Sequence, residues 1–299
     1  MVMIVSESAI MYVLGALIVN VLAIGGIYAL ATSALTILFG GLGCPNASLG
    51  QFFILGSYLL LFFSTHFGLG FFEGMIASLA AMSLAYYLME RILMRRYYNL
   101  PREEKITLYL LVTIGMSQIL SNLIVMIWYS DIYTVFTPWY YERIYVLGFP
   151  SRASTILGII LLFSALSAIL LFLRYTRHGK AIRALVQDRE MTSLMGVDIT
   201  RLSTITFILA CGCATYAGVV YAIIYAFDPT AISIIFSMTF TMVIVGGRGS
   251  ILGAILMGLL YGLSQAVLTM FFFPSAGLYF FFIIMFITLL IKPEGLFRR

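Results

Sequence analysis

Charge is what this sequence has least of. Of 299 residues, 17 are Lys or Arg and 12 are Asp or Glu, which is 10% of the chain. A soluble domain carries about 25%. Histidine occurs twice and cysteine three times, so the side chains that build metal centres and proton relays are scarce. These shortages exclude a soluble enzyme, a nucleic-acid binder and a disordered tail. What fills the chain instead is apolar: 62% hydrophobic residues and a mean hydropathy of +1.07. The apolar runs are continuous, whereas outer-membrane barrels alternate apolar and polar residues. The chain reads as an all-α integral membrane protein, a polytopic bundle forming a single transmembrane domain over residues 1–299.

No charged residue lies between Glu7 and Glu73, a gap of 65 residues, and none from Gly249 to Ile291, a gap of 43. A bilayer core takes about 20 apolar residues per helix, so each gap holds at least two spans. The spans are expected at 9–39, 48–65, 71–90, 106–128, 153–173, 202–226, 233–247, 251–272 and 277–291. The first is long, and Gly25-Gly26 are expected to kink or split it, which makes eight to ten helices. The start of the chain lacks the basic opening and cleavage site of a signal peptide, so the first helix is expected to stay.

If the spans alternate, the basic residues sort to one side. Arg91, Arg95, Arg96, Arg102 and Lys105 follow the third span, and Arg174, Arg177, Lys180, Arg183, Arg189 and Arg201 follow the fifth. Arg248, Lys292, Arg298 and Arg299 join them, leaving only Arg143 and Arg152 opposite, a split of 15 to 2. By the positive-inside rule the C-terminus is cytoplasmic. Nine spans would put the N-terminus outside. The segment 129–152 is then an external loop, rich in Tyr and Trp, which suits an interfacial aromatic belt or a docking surface for an external partner.

The spans carry no charge near their centres, which argues against proton coupling. A sodium site of backbone carbonyls stays open. No G-x-x-x-x-G-K-[ST] phosphate loop occurs, and neither H-E-x-x-H nor G-x-S-x-G is present. Any ATP used must be bound by another chain. Cys211 and Cys213 sit two apart and would point to opposite sides of a helix, which suits neither a disulfide nor a metal; they read as small packing residues. No metal site is expected.

The cytoplasmic segment 174–201 has helical character. Ile182, Leu185, Val186, Leu194 and Met195 form an apolar side, and Gly196 suits a helix stop. A helix over 179–195 would run about 25 Å along the membrane surface. It could lie in the interface or plug into a soluble partner. Its run Arg177-x-Gly179-x-Ala181-x-Arg183-Ala184, with Lys180 inside it and Asp188 and Gly196 beyond, resembles the coupling loop of permease subunits in branched-chain amino acid ABC importers. The resemblance implies that Arg177, Gly179, Lys180, Arg183, Asp188 and Gly196 form a coupling helix that docks into an ATPase subunit. Met191 and Thr192 depart from the small residues usual there.

Two glycine-rich runs extend the resemblance. Gly246-Gly247-Arg248-Gly249-Ser250-x-x-Gly253-Ala254 is similar to a family signature, and Gly249, Gly253, Gly258 and Gly262 make a small-residue stripe suited to close helix packing. Around Asn46-Ala47-Ser48-Leu49-Gly50-Gln51 the family usually reads N-F-A-H-G-E, so a histidine and a carboxylate are replaced by neutral residues. Gly40-Gly41-x-Gly43 repeats the G-G-x-G pattern, as a parallel internal repeat would. Asn46, Ser48, Gln51, Gly246, Gly247 and Gly249 are the candidate path-lining residues, and Gly253, Gly258 and Gly262 the packing ones.

Membership of this family would make the chain the permease subunit of an ATP-driven importer in a bacterial or archaeal cytoplasmic membrane. It implies ATPase subunits that hold ATP and Mg, a second related permease, an external solute-binding protein, and no cofactor in this chain. Membrane lipid is the remaining partner, and nucleic acid is none. The neutral interior suits branched-chain or other neutral amino acids. Rival readings are a urea or short-chain amide permease, a passive channel for small neutral solutes, and a sodium-coupled carrier.

Overall fold

The computed structural model describes residues 7–98 and 100–297; Arg298 and Arg299, used above to orient the chain, lie outside the described residues, as do the side chains of residues 7–10, Arg102 and Glu190. Seven helices are long and apolar enough to cross a membrane: α1 (Glu7–Leu42), α2 (Leu49–His66), α3 (Phe71–Met89), α4 (Arg102–Trp128), α5 (Ala153–Tyr175), α8 (Ile199–Ile224) and α10 (Ile251–Phe271). Two shorter apolar helices, α9 (Ala231–Gly246) and α11 (Ala276–Ile291), complete the bundle. Between α5 and α8 lie the short helices α6 (Arg177–Gln187) and α7 (Arg189–Leu194).

The centre is α8, which packs on α1, α2, α3 and α5. Its inward residues are small: Ala210, Cys211, Ala214, Ala217 and Gly218 are fully buried. Small residues allow close approach, because lipid offers no hydrophobic reward for joining two helices. A Cβ on Gly218 would collide with the Phe53 carbonyl of α2, and one on Gly56 of α2 with the Thr215 carbonyl. Thr215 Oγ1 also donates to the Phe52 carbonyl at 3.2 Å, and Ser57 Oγ to the Gly218 carbonyl at 2.7 Å.

The second close seam joins α1 to α10. Gly258 meets the backbone of Ala29, and a Cβ at Gly262 would lie 2.6 Å from the Gly25 nitrogen. This overturns one expectation. Gly25-Gly26 do not split the first helix; α1 runs unbroken for 36 residues. Their missing side chains serve packing, Gly25 against Leu259 of α10 and Gly26 against Leu162 of α5. At 1.5 Å per residue α1 is about 54 Å long, longer than a bilayer core is thick.

Two further features were not anticipated. The 129–152 loop contains a two-stranded hairpin, β1 (Arg143–Val146) with β2 (Phe149–Arg152), antiparallel with Arg143 opposite Arg152. Its two-residue turn, Leu147-Gly148, takes φ of 51° and 81°, the positive values that strand twist favours. The same loop is pinned to the bundle by a backbone bridge between Tyr133 and Phe227, whose rings pack on Tyr58, itself packed on Trp128. Secondly, the helical path does not stop with α3 at Met89 but continues through a π-helical turn, Glu90–Met94, and a short 3-10 turn.

The Gly258 contact generates a stability prediction. Gly258→Leu should destabilise the fold by about 1–3 kcal/mol or more through overpacking, whereas Gly115→Ala, with nothing within 4 Å of the new Cβ, should not destabilise it. Thermal unfolding of the two variants in detergent micelles checks this.

Candidate functional site

The segment after α5 turns sharply into α6. Thr176 caps the new helix, its Oγ1 accepting from the Gly179 amide at 2.9 Å. Gly179 lies so close to Phe172 and Leu173 that no side chain would fit there. α6 is strongly amphipathic: Gly179, Ile182 and Leu185 are buried, while Arg177, His178, Lys180, Arg183, Ala184 and Gln187 are exposed. Its apolar face lies against α1, α5 and α8.

The expected single helix over 179–195 does not form. At Asp188 the backbone becomes extended (φ −150°, ψ 111°), and α7 starts anew. The Asp188 carboxylate caps α7 by accepting from the Met191 amide at 3.0 Å, the role acidic and amide side chains play at helix starts. After the break the apolar side assigned to the longer helix is lost: Leu194 and Met195 are 81% and 83% exposed. Gly196 ends α7 with φ of 80°.

Val186 is where the sequence motifs meet. A Cβ at Gly40 would lie 3.0 Å from Val186 Cγ2, and one at Gly249 would lie 2.9 Å from Val186 Cγ1. The two glycine-rich runs therefore form two walls of one seat for a residue of α6. Gly249 also needs its glycine identity for φ of 83°. Gly246 packs on Gly253, and Gly247, at φ of 92°, is covered by Gly295 of the tail. The Leu296 amide donates to the Val245 carbonyl at 2.8 Å, so the tail after α11 folds onto the same region. Arg248 places its guanidinium over the Phe39 ring, 5.2 Å from the centroid. None of this was evident from the G-G-x-G repeat, though that repeat was the one signal available.

The candidate path residues of the first loop point inward. Asn46 and Ser48 are fully buried and bonded to each other, Asn46 Oδ1 accepting from the Ser48 amide at 2.9 Å. Gln51 is also buried and pairs with Ser121 Oγ at 3.0 Å; its amide nitrogen, turned to the loop, donates to the Ala47 and Ser48 carbonyls. Neither Asn46 nor Ser48 lines either of the two cavities beside α6. Together they hold the α1–α2 loop.

Three charges turned into the bundle, two buried and one partly so, went unread in the sequence. Glu90 opens the π-helical turn, is 1% exposed, and accepts from Thr204 Oγ1 of α8 at 2.6 Å. Lys105 caps the end of α1, its Nζ donating to the Leu42 carbonyl at 2.5 Å. Arg189 Nη2 donates to the Tyr98 carbonyl at 2.8 Å. Burial pulls the Arg189 pKa below its ordinary value, yet a guanidinium stays cationic. Among the described residues no cluster of His, Cys, Asp and Glu is arranged to hold a metal.

A protein family described as "Branched-chain amino acid transport system / permease component" matches residues 17–289. The chain belongs to that family. The permease is 28% identical to the high-affinity branched-chain amino acid transport system permease protein LivH of Escherichia coli K12, across 94% of each chain. It is 26% identical to the corresponding protein BraD of Pseudomonas aeruginosa, across 94% of this chain and 95% of that one. PsaBC from Streptococcus pneumoniae in complex with Fab superposes with a TM-score of 0.49 at 16% identity, covering 94% of this chain and 92% of that one. Membership of that family makes the chain the permease component of a transport system, and its seven long apolar helices make it a multi-pass membrane protein.

Thr204→Val tests the Glu90 contact. It leaves a buried carboxylate without that hydroxyl and should cost about 1.5–3 kcal/mol. Glu90→Gln keeps an acceptor there and should cost less, both read as unfolding midpoints in micelles.

Proposed function

We propose that this permease is the membrane subunit of an ATP-driven importer for branched-chain or other neutral amino acids. The observation that carries the reading is α6. Its buried face is locked into the bundle at Gly179, Ile182, Leu185 and Val186, while Arg177, Lys180 and Arg183 project from the other face. A helix rigidly seated on one side and charged on the other suits transmission of a push from a soluble subunit. The partner is an ATPase that holds ATP and Mg, and Asp188 and Gly196 set the ends of the lever.

The names of the relatives support the amino-acid solute, and so does an interior without exposed charge at mid-membrane. Ending α6 and α7 and the C-terminal tail on the cytoplasmic side follows from the 15-to-2 distribution of basic residues. A second related permease and an external solute-binding protein complete the assembly, and the 129–152 loop, with its hairpin and its exposed Tyr141 and Tyr145, is the docking surface offered to the latter. The membrane is a bacterial or archaeal cytoplasmic one. Asn46, Ser48, Gln51, Gly246, Gly247 and Gly249 act at the path by holding the segments that move, and Gly253, Gly258 and Gly262 by packing them.

Alternating access needs a driver that favours one conformation over the other. Uptake of radiolabelled leucine into proteoliposomes holding the whole assembly should require ATP and should not require sodium. Arg183→Glu, at an exposed position, should reduce ATP-dependent uptake at least about tenfold while leaving the permease folded, since reversing a rim charge costs a docking surface kcal-scale energy. Uptake that persists without ATP would identify a channel, and loss on sodium removal a carrier. Competition by urea or acetamide, but not leucine, would move the solute to the amide class.

A further inference from the structure

At the end of the bundle that bears α6 and α7 lies a cavity of about 870 Å³, bounded by the α1–α2 loop, the start of α4, and α6 to α8. Both Lys105 and Arg189 line it. Lys105 is 5% exposed and spends one donor on the Leu42 carbonyl. Arg189 spends Nη2 on the Tyr98 carbonyl, and its buried Nη1 has no hydrogen-bond partner. The two cations are near enough to repel each other. Two acids share the cavity wall, and both have other work: Asp198 caps α8 and pairs with Arg201 at 3.7 Å, and Asp188 caps α7.

A buried donor on a cation with nothing to donate to is costly. One unsatisfied cationic donor beside a second cation, both residues in the wall of one roomy cavity, calls for negative charge there. We propose that this cavity binds a compact oxyanion, a carboxylate or phosphate group held between the Lys105 ammonium and the Arg189 guanidinium. A guanidinium fork suits either group and an ammonium adds a point charge. The volume accommodates more than the anion alone, so the group can belong to a free anion, an amino acid or a lipid headgroup. Its occupant would touch α4 and α7 at once and so tie the coupling segment to the bundle. The binding claim stands independently of what the permease transports.

The test uses the full-length permease in neutral detergent at fixed ionic strength, set with sodium chloride. Inorganic phosphate, leucine or phosphatidylglycerol in mixed micelles is titrated in, and the unfolding midpoint is followed. At least one should raise the midpoint of the wild type, and which one does identifies the source of the oxyanion. Arg189→Gln and Lys105→Gln should each weaken that response at least about tenfold in half-saturating concentration, while Arg91→Gln, at an exposed position elsewhere, should leave it intact. Where a variant does not fold, the wild type alone decides: the active anion should slow acylation of Lys105 by an amine-reactive reagent, read by mass spectrometry, and chloride should not. The proposal is overturned if none of the three probes shifts the midpoint beyond the chloride control. It is equally overturned if the shift survives both cavity substitutions, or if Lys105 is acylated at an unchanged rate.

Discussion

Hydrocarbon gives helices no reason to seek one another's leucines, so the bundle depends on backbones that come close. In water, burial of each apolar side chain would drive association; in lipid, packing and internal hydrogen bonds must do it. The structure answers with two seams. Gly56 and Gly218 bring α2 and α8 into contact with each other's carbonyls, and Gly25, Gly258 and Gly262 do the same for α1 and α10. Hydroxyls seal the first seam through Thr215 and Ser57. Since α1 also packs on α8, the two seams share a helix, and the outer helices α4 and α11 are left with broad apolar faces for lipid or for other subunits.

The same economy of side chains shapes the working end. On the proposed reading α6 moves with a soluble subunit, and such a helix needs purchase on the membrane domain. Purchase here is steric rather than ionic: Gly179 lets α6 turn tightly against α5, and the seat between Gly40 and Gly249 grips Val186. One wall of that seat belongs to α1 and the other to the turn between α9 and α10, so a shift of α6 acts on both sides of the α1–α10 seam. The break at Asp188 confines the rigid part of the lever to α6. It also frees α7 to make a different kind of contact, through Arg189, with the end of the α3 extension.

Much of this was legible in the sequence because the membrane enforces simple rules. Spans declared themselves as charge-free runs, and each expected span overlaps an apolar helix. The charged outer face of α6 and the glycine runs could be named from spacing. What was not legible depends on distance along the chain. That Gly40 and Gly249 face one valine, 209 residues apart, is a tertiary fact that a G-G-x-G repeat only hints at. Gly25-Gly26 read as a hinge because glycine weakens helices, yet packing against Leu259 and Leu162 overrides the propensity. The break at Asp188 hid because an aspartate on an exposed helix face and an aspartate capping the next helix look alike in one dimension. The β-hairpin hid in a loop judged by its aromatics, although Leu-Gly flanked by extended residues was there to be read.

Charge location shows the limit of reading by side alone. Glu90, Lys105 and Arg189 all count correctly as residues near span ends, and two of them were used to orient the chain. Yet Glu90 and Lys105 are buried, and Arg189 is partly so. A charge at a membrane boundary has three options: water, headgroups, or a partner within the protein. These three take the last, and each bonds a neighbouring element, Glu90 to α8, Lys105 to the end of α1, Arg189 to the residue that follows the α3 extension. They cross-link at one end of the bundle the helices that glycine packs along its length. The glycine seams and these buried charges therefore hold the same bundle by different means, the first by backbone approach along the helices and the second by directional hydrogen bonds at one end.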